Sequence, residues 1–141
     1  METANAISIT VQTTVNAPVE KVWEYWNGPT HITSWCQASE DWHAPYAEND
    51  LRAGGSFKTT MAAKDGSFSF DFGGVYTMVE PHQLIEYTMA DNRKVRIEFE
   101  ADGSTTKVTE IFDAESTHPV EMQQTGWQAI LDNFRKYTEA N

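Results

Sequence analysis

Apolar and polar residues alternate through AISITVQTTV. Ile7, Ile9, Val11 and Thr13 fall on one side and polar neighbours on the other, the period of a half-buried strand. The period then changes. In NAPVEKVWEYW, Asn16 stands near a helix cap and Pro18 suits a first turn. Val19, Val22, Trp23 and Trp26 recur at i, i+3, i+4 and i+7, which makes one apolar stripe. Asn27-Gly28-Pro29 breaks this helix, and THITSW predicts a second short one.

From Trp42 to Phe112 the chain reads as strands and turns. Asp-Gly occurs at 65–66 and at 102–103, each time between β-rich runs, a strong hairpin signal. A two-residue loop at Asp65-Gly66 pairs Ala63 with Phe68, Met61 with Phe70 and Thr59 with Phe72. Opposed residues share a face, so Phe57, Met61, Phe68, Phe70 and Phe72 line one side. The same loop at Asp102-Gly103 pairs Phe99 with Thr106, Ile97 with Val108 and Val95 with Glu110. In KVRIEFE, Val95, Ile97 and Phe99 alternate with charged residues and form the inward set. Glu110 is therefore predicted on the apolar face, unless a bulge reverses the strand beyond it. An odd-length turn around Asp91-Asn92 keeps Ile85, Tyr87 and Met89 on that same face.

The last stretch, HPVEMQQTGWQAILDNFRKYTEAN, places Trp127, Ile130, Leu131, Phe134 and Tyr137 at helical spacing, with Pro119 suited to a first turn. A long amphipathic helix follows, and it must lie on something apolar. Gly126 inside it costs about 1 kcal/mol against alanine, so it either permits a close backbone approach or leaves room beside a cavity. The glycines of AGG (53–55) read as a turn or bulge between strands, since the lysine and following helix of a phosphate loop are missing. Those of FGG (72–74) read as a bend that curves the sheet.

Composition narrows the classes. The 141 residues are expected as one domain, 1–141, long enough to bury roughly 70% of the surface of the unfolded chain. A hydrophobic fraction of 40% with 12% aromatics is too rich for disorder. The formal charge of −11, from 21 acidic against 10 basic residues, repels phosphate backbones and anionic headgroups. Nucleic acid is thus excluded as an expected partner, and so is a membrane surface. No apolar run approaches the ~20 residues of a membrane span. METANAISIT lacks the basic segment and apolar core of a leader, so a cytoplasmic location is expected. A single cysteine excludes an internal disulfide.

Strand, two short helices, about six antiparallel strands and one long helix make a two-layer α+β arrangement. The chain resembles the START-like, helix-grip or SRPBCC superfamily, and within it the Hsp-90 ATPase activator homologue-like family. The resemblance is carried by APVEKVWEYW, GPTHITSW, DLRAGGSF, FDFGGVYTMVEPHQLIEY and GWQAILDNF, in the family's order and across nearly the entire chain. It implies a birch-pollen-allergen-like fold: a curved antiparallel sheet of about seven strands, two short helices closing one end, and a long C-terminal helix across the sheet enclosing a cavity. The candidate ligand wall is then Trp26, His31, Trp35, Phe57, Met61, Phe70, Tyr87, Val95, Ile97, Glu110, Trp127 and Ile130. His31 and Trp35 would shape its entrance. A rival physical reading has no cavity at all, with aromatics filling the space.

Glu110 is the one candidate catalytic residue. Buried without a partner, its pKa should rise, and it could hydrogen-bond a ligand carbonyl or hydroxyl or act as general acid or base. The bland readings pair it with an arginine such as Arg93, or turn it outward at a bulge. In HITSWCQASEDWH, His31, Cys36, Asp41 and His43 match no metal or nucleophile template. No metal and no cofactor are expected. The expected function is binding of a small apolar or aromatic molecule, lipid- or polyketide-like, between sheet and long helix. One alternative is a polyketide cyclase or aromatase in which Glu110 and a tyrosine such as Tyr87 move protons. A chaperone ATPase activator is disfavoured, because the activators' additional domain has no room in this length. A homodimer is compatible with the sequence, although no dedicated interface is visible.

Overall fold

The computed structural model describes residues 7–37 and 39–141; residues 1–6, within the stretch read for a leader, lie outside them. Strand β1 (Ser8–Val15) is followed by helices α1 (Val19–Asn27) and α2 (Pro29–Trp35). Strands β2 (Trp42–Asn49), β3 (Ser56–Ala63), β4 (Ser69–Glu80), β5 (Leu84–Met89), β6 (Lys94–Asp102) and β7 (Thr105–Asp113) come next, and helix α3 (Val120–Ala140) ends the fold. All seven strands form one antiparallel sheet in the order β1-β7-β6-β5-β4-β3-β2. Each strand from β2 onward pairs with its sequence neighbour, while β1 returns to cover β7.

The helix entry differs from the sequence expectation. Pro18, not Asn16, is the cap of α1, and its carbonyl accepts from the backbone N–H of Lys21 and Val22. Asn16 instead donates its backbone N–H to Glu139 Oε2 on α3, at 2.8 Å. Gly28 closes α1 and opens α2, so the Asn-Gly-Pro break is a kink of one residue between two helices.

The first hairpin keeps the predicted register, with Met61 opposite Phe70 and Thr59 opposite Phe72. The last hairpin slips by two. Ile97 faces Glu110, Val95 faces Phe112 and Asp102 still pairs with Thr105, so the loop is Gly103-Ser104 rather than Asp102-Gly103. Gly103 carries the positive φ of 63° that this turn needs. Side chains alternate with period two, so a slip of two changes partners but leaves every face as predicted. The three-residue turn after Met89 likewise keeps parity, with Asn92 at φ 73°.

Curvature is built into β4. A Cβ on Gly73 would stand 2.4 Å from the Phe57 carbonyl oxygen, and one on Gly74 would stand 2.6 Å from that of Thr88. The neighbouring strands close in where a side chain would hold them off. Breaks in register on β2–β3 and β4–β5 add to the bend. Pro45 lies in the break on edge strand β2, where its missing N–H leaves no ladder bond unmade.

The concave face carries the core. Val15, Val22, Val108, Leu131 and Phe134 have no exposed surface at all. Helix α3 lies over this face and along β1. Gln124 and Gln128 donate to the Thr10 and Gln12 carbonyls at 3.3 and 3.1 Å, so α3 satisfies part of the edge that β1 would expose. The outer face is polar, with Arg96 paired to both Glu86 and Glu98.

Candidate functional site

Sheet and α3 do not meet along their whole length. Between them lies a cavity of about 630 Å³, so the filled-core reading is replaced by a real space. One end is closed by packed aromatics. Trp26 from α1 stands edge-on to Phe134 (4.8 Å between centroids) and tilts against Trp35 of α2 (5.1 Å), which in turn stands edge-on to Phe134 (5.0 Å). The Trp35 indole N–H donates to the Tyr25 carbonyl and Asn133 donates to the Trp35 carbonyl, so α1, α2 and α3 are tied at this corner. Across the cavity, Trp127 stacks on Phe112 at 3.8 Å and meets Phe72 edge-on at 5.9 Å. Phe70, Met122 and His118 belong to the wall and are exposed, which marks an opening between β4 and the first turns of α3.

Of the residues named from the sequence, Trp26, Trp35, Phe57, Met61, Phe70, Tyr87, Ile97, Glu110, Trp127 and Ile130 line this cavity. Two do not. Val95 is 2% exposed and fills the sheet between Tyr87 and Phe112. His31 points toward the C-terminal part of α3: it stacks on Tyr25 at 4.0 Å, and its Nδ1 lies 2.7 Å from the Tyr137 hydroxyl. It fastens helices together and does not shape the entrance. The helical stripe could not reveal this, because the rotation of α2 against α3 is set by tertiary packing.

Glu110 is 6% exposed and lines the cavity. Its neighbours on the ladder are Val11 on β1 and Ile97 on β6, both apolar. Burial raises its pKa from 4.5 to about 8, with no hydrogen bond or charge acting against the shift. Neither bland alternative holds. Arg93 gives its Nε to Asp91 Oδ2 at 2.7 Å, and β7 runs without a bulge past Glu110.

Cys36, at the end of α2, shares the cavity and is pushed up to about 12, mainly by burial and then by Glu110. That thiol is a poor nucleophile. Tyr87 on β5 is raised well above the ordinary phenol range, by burial first and by Glu110 second. Tyr76, raised above the ordinary phenol range mainly by burial, donates its hydroxyl to Asn49 Oδ1 at 2.6 Å.

The sequence reading missed the polar side of the mouth. Glu115, His118, Gln123 and Arg93 all belong to the wall there. Gln123 accepts from the Glu115 N–H and donates to the Glu115 and His118 carbonyls, which pins the loop after β7 to the start of α3. His118 Nδ1 lies 3.0 Å from both Glu115 oxygens, and this contact helps hold the Glu115 carboxyl below its usual range. The only signal in the sequence was a cluster of polar residues before a helix, and many surface loops share it.

A family model described as Activator of Hsp90 ATPase homolog 1-like protein matches residues 16–139. The chain belongs to that family. A solution structure of the AHSA1-like protein from Aeromonas hydrophila is 44% identical, covers 95% of this chain and 93% of its own, and superposes with a TM-score of 0.89. A solution structure from Cytophaga hutchinsonii is 63% identical, with 95% and 93% covered and a TM-score of 0.82. A crystal structure from Chromobacterium violaceum, 22% identical with 96% and 99% covered, shares the fold at a TM-score of 0.85. No curated protein matches the chain at a significant level. The helix-grip fold of the START-like superfamily is thus common to this AHSA1-like chain and these relatives. Among the described residues no helix is long and apolar enough to cross a membrane, and no group of acidic, histidine or cysteine side chains is arranged to hold a metal ion.

Proposed function

We propose that the protein binds a small, largely apolar or aromatic molecule, lipid- or polyketide-like, in the cavity between the sheet and α3. One observation carries this reading: a cavity of about 630 Å³ with aromatic walls and, in its depth, the carboxyl of Glu110, which has no partner among the described residues. Ligand pockets commonly measure about 300–1,000 Å³ and combine apolar walls with a few placed polar groups. A structural core of the same size has no use for an unpaired carboxyl, which costs stability.

A thermal-shift screen of purified protein against hydrophobic, aromatic and polyketide-like compounds tests the proposal. A ligand at a hundred times its dissociation constant adds about 2.7 kcal/mol. For a domain of this size the melting point should rise by roughly 5–11 °C. A broad library without one such shift would reject binding in this cavity.

A second reading has its own support. With a pKa of about 8, Glu110 can exist in either protonation state near neutrality, as a general acid or base requires. Under this reading the bound molecule is also converted, with Glu110 moving the proton. Any turnover found with a bound compound should then vanish in Glu110→Gln while binding persists, and full turnover in that variant would remove Glu110 from the chemistry.

A further inference from the structure

Two buried polar side chains face the cavity without a partner. Glu110 and Tyr87 are 6% and 5% exposed and both line the space. Neither is hydrogen-bonded to another described residue. Thr138 Oγ1 is the one fully enclosed side-chain polar atom lacking a partner among the described residues, so the Glu110 and Tyr87 oxygens open onto the cavity. Tyr76 supplies the contrast. It is equally buried, lines the same wall, and its hydroxyl is satisfied by Asn49.

The ladder relates the two groups. Tyr87 stands opposite Val95 and Glu110 opposite Ile97, so they are offset by two residues across the intervening strand β6. That is about 7 Å along the strands and two strand spacings, about 10 Å, across. Both side chains reach inward over a concave face, and each lies within electrostatic reach of the other. Near neutrality both carry a proton to donate.

We infer that Glu110 and Tyr87 form a two-donor subsite for a carbonyl group, and that the ligand is a neutral, largely apolar carbonyl compound. The inference rests on the proposed cavity binding and names its ligand class. A hydrocarbon would leave both donors unpaired in a dry site. An acid would need a cation in the depth of the cavity. Arg93 belongs to the wall and acts on Tyr87, but it lies four residues before Ile97, the partner of Glu110, about 13 Å along the strand, and its Nε is engaged by Asp91. An amine would take the Glu110 proton and bury an ion pair with few further hydrogen bonds, an arrangement that desolvation disfavours. A carbonyl oxygen has two lone pairs, needs no proton transfer, and can accept from both donors.

Three probes on one skeleton separate these cases: benzophenone, diphenylmethane and benzhydrylamine, titrated calorimetrically into the full chain at pH 6.5 and 9.5. Benzophenone should bind about tenfold or more tightly than diphenylmethane at pH 6.5. That preference should shrink several-fold in Tyr87→Phe and in Glu110→Leu, and survive in Glu110→Gln, whose amide still donates. It should also narrow at pH 9.5 in the wild type but not in Glu110→Gln. The groups facing Glu110 that could blur this pH arm are Cys36 and Tyr87, with Arg93 farther off. The thiol and phenol both hold their protons above Glu110's range. Equal binding of benzophenone and diphenylmethane would overturn the carbonyl subsite and leave cavity binding standing. Tightest binding of benzhydrylamine would overturn it in favour of an ion pair. Silence from all three, in a protein that also fails the thermal-shift screen, would remove the cavity function itself.

Discussion

Glu110 sits between Val11 and Ile97 with no neutralising partner among the described residues, and that makes its contribution to stability depend on pH in a definite direction. Its pKa is about 8 in the folded protein against 4.5 when unperturbed, so between those values the folded state holds a proton that the unfolded state has released. The contribution of this group is therefore fully present below about pH 4.5, falls as pH rises, and levels off once pH exceeds about 8. The loss should be on the order of 3–5 kcal/mol, at about 1.4 kcal/mol per pH unit. Urea unfolding at pH 5, 7 and 9 checks it: Glu110→Gln should be the more stable form at pH 9, with the difference shrinking toward pH 5. A constant difference across pH would mean that the carboxyl is solvated. Cys36 gives a second readout at this scale. With its thiol pushed up to about 12, it should react with a thiol reagent at pH 8 more than a hundredfold more slowly in the native protein than in urea. Much of this was legible beforehand. The alternation of KVRIEFE and the parity of one hairpin sufficed to turn Glu110 inward, whereas the company it keeps, Cys36 from α2 and Tyr87 from β5, depends on how distant elements pack.

Among the elements, α3 shows most clearly what periodicity reveals and what it omits. The stripe of Trp127, Leu131 and Phe134 identified the face that docks, and Leu131 and Phe134 are fully buried. The gap beside the helix was not in the stripe. Gly126 borders the cavity, and a Cβ built there meets no atom within 4 Å. Of the two readings of this glycine, room beside a cavity is the one that holds. Gly126→Ala should accordingly stabilise the protein by about 1 kcal/mol through helix propensity alone, raising the melting point by roughly 2–4 °C. A fall instead would mean that the helix needs the glycine for close approach. The last hairpin teaches a related lesson. Asp-Gly located the turn but not which two residues form it, and pairing slipped from Val95–Glu110 to Ile97–Glu110. Faces are robust to such a slip because the side-chain period is two; contacts are not. The mouth is the extreme case, since Glu115, His118 and Gln123 come together only when the loop after β7 meets α3.

For the whole molecule, the question is how so small a domain tolerates so large a space. Dry cavities cost about 24 cal/mol per Å³ in core-truncation series. At about 630 Å³ that rate gives on the order of 15 kcal/mol, as much as the entire net stability of a typical domain. The space therefore cannot be a sealed void. It must exchange with solvent through the opening at Phe70, Met122 and His118, and the fold must be held by the packed end, where Phe134, Leu131, Val15, Val22 and Val108 lie fully buried. The two ends should answer substitution in opposite ways. Phe134→Ala removes a fully buried ring that two tryptophans pack against and should cost about 3–5 kcal/mol, enough to lower the melting point steeply. Ile130→Phe adds a ring on the cavity side of α3, where space is available. It should leave stability within about 1 kcal/mol of the wild type or raise it, while abolishing the thermal shift given by any compound that binds the parent protein. If Ile130→Phe destabilised as severely as overpacking a filled core, the space beside α3 would not be open to a ligand. If it kept the full ligand shift, the ligand would be bound somewhere else.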